Sequence, residues 1–116
     1  MKGAAHRLFF AVHRIESAAG VLYEWKAVRG LRMNVSSPGW SHLKLFTYRI
    51  ARVVWVAEEK TGMHVACGAT VARARMNLNE VLAACGGRYQ LAAAIRRALY
   101  NANPRPRPDV KLRKLT

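Results

Sequence analysis

The side chains of this chain that could do chemistry are mostly arginines and lysines, 20 of them against 6 acidic residues. One group is Arg7, Arg14, Lys26, Arg29 and Arg32, and a second is Lys44, Arg49, Arg52, Arg73 and Arg75. A third, Arg105, Arg107, Lys111, Arg113 and Lys114, lies in the tail. Guanidinium groups fork onto phosphate oxygens, and contacts of this kind position a rigid RNA without reading its bases. A formal net charge of +14 over 116 residues argues against a merely solvated basic surface. Self-repulsion on that scale penalises compactness unless a polyanion neutralises it. Nucleic acid is the commonest such partner and an anionic membrane surface the next. Aromatics interleave with the bases: Tyr48 beside Arg49 is suited to stack on a splayed base, whereas Trp55, inside an apolar run, reads better as core.

Other chemistries find little support. The carboxylates are scattered, Glu58 and Glu59 belong to a turn, and there is no phosphate-cradling loop or paired acid site. The reading is therefore not an enzyme, with no catalytic residue, no cofactor and no small-molecule substrate. Cys67 and Cys85 lack any C-x-x-C context, which points to two reduced thiols rather than a disulfide framework or zinc site. His6, His13, His42 and His64 do not cluster with them. His6 and His13 would share a helical face without a third ligand, so no metal site is expected. Asn77 and Asn79 read as capping or framing residues of a helix around Glu80.

These residues must be held by a fold, and a hydrophobic content of 52% supports one small folded domain. No apolar stretch is long enough to span a membrane. From residue 4 to 29, Leu8, Val12, Ile15, Ala19 and Leu22 recur at helical spacing, and Gly30 would stop the helix. This start is basic, acid-poor and amphipathic, the character of an organellar targeting segment retained in the mature chain. After the turn-rich connector LRMNVSSPGW, the segment HLKLFTYR alternates like a strand. ARVVWVAEE and MHVACGATV follow as a hairpin whose turn needs the positive φ of Gly62. The middle strand, apolar on both faces, reads as central and covered on both sides. VARARMNLNEVLAAC and RYQLAAAIRRALYNA are helical, separated by Gly86 and Gly87. The Pro/Arg tail is extended, with 110–115 able to pair as a short edge strand. The predicted class is α/β (α+β): a small, mainly antiparallel three- to four-stranded sheet with helices packed on it. An N-terminal basic amphipathic helix (1–32) precedes this core (42–103), and a basic Pro/Arg tail (104–116) follows it.

The run from His42 to Ala102 resembles the universal large-subunit ribosomal protein L-eighteen family, which binds 5S ribosomal RNA. FTYRIARVVWV stands where the family has its basic first turn and aromatic second strand. EEKTGMHVACGAT matches its hairpin, with Gly62 at the turn and Cys67-Gly68-Ala69-Thr70 closing the strand. LAACGGRYQLAAAIRRALYNA follows its pattern of a glycine-containing loop opening a long alanine-rich helix. The likeness covers about half the chain, and PDVKLRK falls where the family places its next strand. The family then continues through a further loop and helix, and its N-terminal segment is less apolar than this one. Both departures look like an organellar version.

The resemblance implies a structural constituent of the large subunit of a mitochondrial ribosome, in the matrix. Its partners would be ribosomal RNA, at a 5S-type site or what replaces it, and neighbouring large-subunit ribosomal proteins. The rival expectation is a basic accessory subunit of a mitochondrial inner-membrane complex, facing anionic lipid without spanning the bilayer.

Overall fold

The computed structural model describes residues 6–35, 40 and 43–104. Arg105, Arg107, Lys111, Arg113 and Lys114, the strand expected at 110–115 and His42 lie outside the described residues. The elements are β1 (Arg7–Ser17), β2 (Gly20–Met33), β3 (Leu45–Ile50), β4 (Val53–Glu58), β5 (His64–Gly68), α1 (Val71–Ala84) and α2 (Arg88–Ala102). The strands form one antiparallel sheet in sequence order, so the molecule is α+β with a five-stranded meander and two helices.

The expected N-terminal helix is absent: residues 7–33 are a long β-hairpin, and the sheet has five strands rather than three or four. Leu8 and Leu22, members of the proposed helical stripe, are 68% and 61% exposed. Apart from Val12, 4% exposed on the opposite face, burial on β1 follows the strand period instead. Phe9 and Ala11 face inward from β1, with His13 and Ile15 partly covered on the same face. Phe9, Phe10, Val12, Ile15, Val21, Tyr23, Trp25 and Val28 are aromatic or β-branched, the types that fit a pleated surface. Ser17 pairs with Gly20 across the turn. The Ser17 hydroxyl accepts from the Ala19 amide at 3.2 Å, and Gly20 takes φ 125°. Gly30, predicted to stop a helix, is a strand residue.

From β3 onward, the elements follow the sequence pattern. β4 lies between β3 and β5, and the sheet is packed on both faces. On one face Leu45, Val54 and Val56 meet Ala74, Leu78 and Leu82 of α1 and Leu91 and Ile95 of α2. Thr70 caps α1, its hydroxyl accepting from the Arg73 amide at 3.1 Å. Asn77 does not cap the helix; its side-chain amide donates to the Cys67 carbonyl at 2.7 Å and ties α1 to β5. α2 ends on Asn103 in the left-handed conformation.

The other face is covered by the sheet itself, which curls until β1 meets the β4–β5 turn. The Val12 amide donates to the Gly62 carbonyl at 2.9 Å. Gly62 has φ 71°, and a Cβ there would lie 2.6 Å from the Trp25 ring and 2.7 Å from the Phe10 carbonyl. Only glycine satisfies both the turn and that approach. The Glu58 carboxylate holds the turn from within, accepting from the amides of Lys60 and Thr61 at 2.9 Å each. Phe9, Ala11, Phe46, Tyr48 and Ala57 fill the concavity, with Val28 and Trp55 at its margin.

Candidate nucleic-acid interface

β2 serves two pairings in succession. It pairs with β1 from Gly20 to Gly30 and with β3 only from Leu31 to Met33. At the junction a Cβ on Gly30 would lie 2.5 Å from the Thr47 carbonyl oxygen, so the two backbones touch there. Beyond it β2 and β3 part. The opening is a cleft of about 550 Å³ lined by His6, Arg29, Thr47, Arg49, Val54 and Val71, among others, and no carboxylate lines it. Val71 is the first residue of α1, whose first turn carries no acid. The positive end of that helix adds to the local potential. Two guanidiniums in one acid-free cleft repel each other, and an anion between them relieves that repulsion.

The sequence groups of basic residues are redistributed by this topology. Arg29 and Arg49 line the cleft, whereas Arg7 pairs with Gly30 and Leu8 with Arg29, which puts Arg7 on the opposite face of the hairpin. Arg14 and Lys26 instead bind Glu16 and Glu24 at 2.6 and 3.2 Å, leaving little net charge on that part of the hairpin. Arg32 binds Glu59 at 2.8 Å. Arg52 is exposed in the β3–β4 turn, and Arg73 and Arg75 are exposed on α1. Lys44 lines a separate cavity of about 360 Å³ together with Trp40, Lys60, Leu91 and Arg96, where Glu58 contributes opposite charge.

Tyr48 does not fit the part of a base-stacking residue. It is 5% exposed, with its ring in the concavity 5.8 Å from that of Phe46. There its hydroxyl meets two histidines that the sequence keeps far apart. His13 Nε2 lies 3.1 Å from Tyr48 Oη, and His64 Nε2 is hydrogen-bonded to the same oxygen. Trp55 stacks on His64 with centroids 4.3 Å apart. Read as a helix, 4–29 pairs His13 with His6, but on a strand two residues seven apart face opposite sides. Strand alternation, which puts His13 inward with Phe9 and Ala11, is the signal that leads to this cluster.

Burial pushes His64 down to about 4, and the neighbouring His13 acts in the same direction. His13 is lowered by burial and then by Lys26, with Glu24 opposing. Burial raises the Tyr48 hydroxyl above its ordinary value. Desolvation thus favours two neutral imidazoles and a neutral phenol at pH 7. The phenol donates to one ring and accepts from the other, so the two histidines hold opposite tautomers.

Cys67 and Cys85 are free thiols, each partly covered. No helix among the described residues is long and apolar enough to cross a membrane. No family model, curated protein or solved structure matches the chain.

Proposed function

We propose that the protein binds structured RNA through phosphate contacts centred on the Arg29–Arg49 cleft, as a non-catalytic constituent of a ribonucleoprotein. The observation that carries this reading is the cleft itself: two arginines from separate strands, His6 and a helix start, with no acid among the lining residues. Charge of this kind suits a phosphate backbone. The fuller form of the proposal is a protein of the mitochondrial large ribosomal subunit, at the 5S-type site or its replacement. That step is supported by the strand–hairpin–helix resemblance of residues 42–102.

The exposed apolar residues Leu8, Phe10, Val21 and Leu22 suit docking against neighbouring proteins of the particle. The test is sedimentation of the tagged protein from mitochondria. Under the proposal it travels with the large subunit at moderate salt and is released by RNase. If it stays with membrane complexes after RNase, the ribosomal reading fails and the inner-membrane alternative replaces it.

A further inference from the structure

We propose that His13, Tyr48 and His64 form a three-ligand site for a borderline divalent metal ion, zinc or copper(II). The inference is independent of the RNA reading. Among the described residues no three of His, Cys, Asp and Glu come together, so the donor set is completed by a tyrosine. The three side chains come from β1, β3 and β5, and their donor atoms converge. The same nitrogen of each imidazole, Nε2, points at Tyr48 Oη.

Ring spacing fits a shared ion. The centroids are 5.8 Å apart for His13 and Tyr48, 6.1 Å for His13 and His64, and 5.7 Å for Tyr48 and His64. With metal–ligand bonds of about 2.0–2.1 Å, side chains on one ion hold their ring centres roughly 5–6 Å apart. Imidazole nitrogen and phenolate oxygen suit zinc and copper(II) better than magnesium or calcium. Binding would release the phenolic proton to solvent and shift the proton of the donating imidazole from Nε2 to Nδ1, and the phenolate would cancel one of the ion's two charges.

The ligands are held by rigid neighbours: Trp55 stacks on His64, and Phe46 lies beside Tyr48. Glu24 is paired across the hairpin with His13, close enough to help offset the remaining charge, whereas Lys26 opposes it. His13 is only partly covered, so solvent reaches this side of the cluster and could supply a water as fourth ligand. An ion there would clamp β1 to β3 and β5 and lock the curl of the sheet.

The experiment is calorimetric titration of chelator-treated full-length protein with Zn²⁺ and with Cu²⁺, alongside the variants His13→Gln and Tyr48→Phe. Far-ultraviolet circular dichroism confirms the fold of each. One equivalent is expected to bind wild-type protein and raise its melting temperature. His13→Gln should weaken binding by about a hundredfold or more. The copper form should show a phenolate-to-copper charge-transfer band that Tyr48→Phe abolishes. If His13→Gln fails to fold, the near-isosteric Tyr48→Phe decides alone. Equal affinity in wild type and the folded variants, or a copper form without that band, overturns the proposal and leaves a hydrogen-bonded core cluster.

Discussion

The Phe9 ring of β1 lies on the Phe46 ring of β3, centroids 4.3 Å apart and planes 4° from parallel, although β2 runs between their strands. A flat sheet would keep the two apart by about two strand spacings, roughly 9.5 Å. Their contact therefore measures the curl that brings β1 onto the β4–β5 turn and His13 towards His64.

Truncating either ring should cost more than an ordinary surface change. Phe9→Ala is expected to lower stability by about 3–5 kcal/mol in urea denaturation, as buried phenylalanines do. Combined with Phe46→Ala in a double-mutant cycle, the pair should show a coupling of about 0.5–1.5 kcal/mol. A cost below about 1 kcal/mol for Phe9→Ala would mean that the hairpin does not cover this face.

Two glycines with similar backbone angles offer a comparison. Gly62 has φ 71° and Gly86 φ 86°, but an added Cβ meets Trp25 and Phe10 at the first and only Gln90, at 3.7 Å, at the second. Alanine at Gly86 should cost about 1–2 kcal/mol from the left-handed backbone alone. Alanine at Gly62 should cost a further 1–3 kcal/mol or so from overpacking. Equal costs would show that the turn does not press on the hairpin.

Acid should weaken the metal-free protein through His64. Its folded value is about 4 against roughly 6.5 when unfolded. Between those values the unfolded chain binds a proton that the folded chain refuses, so stability is complete above about pH 6.5 and falls as the pH drops towards 4. The loss is on the order of 3 kcal/mol and levels off below that window, where both states are protonated. The groups around His64 are His13 on β1, Tyr48 on β3 and Trp55 on β4, with Glu24 and Lys26 acting on His13 from β2. Denaturation midpoints from pH 7.5 to 4, with chelator present, should slope in wild type and flatten in His64→Gln. An identical slope in both would assign the acid sensitivity to carboxylates.

The second half of the molecule was readable because its local signals agree. Strand alternation in HLKLFTYR, the Lys60-Thr61-Gly62 turn, the helical stripe of Leu91 and Ile95 and the Gly86-Gly87 break all point one way, and β3 to α2 follow them. The first half misled because Leu8, Val12, Ile15, Ala19 and Leu22 satisfy helical spacing by coincidence. The β-branched and aromatic content of the same segment argues for strand, and tertiary contact with β3 and the Gly62 turn decided between them. The site was less legible still. Arginine content predicted an anionic partner, but placing Arg29 and Arg49 in one cleft depends on β2 pairing with β3 only from Leu31 onward. The pairing of Arg14 and Lys26 with Glu16 and Glu24 likewise depends on the hairpin. His13 and His64 meet only once the sheet curls.

The most direct test of the account is the salt dependence of RNA binding by wild type, Arg29→Gln/Arg49→Gln and Arg14→Gln/Lys26→Gln. Affinity for a structured ribosomal RNA fragment would be followed by filter binding from low to moderate salt. The slope of log K against log salt should shrink by about 1.4–1.8 for the cleft variant, from two lost phosphate contacts at 0.7–0.9 each. It should change little for the hairpin variant, whose charges are already matched by carboxylates. An unchanged slope in the cleft variant, with the fold intact, would contradict the central claim that RNA phosphates bind between β2 and β3.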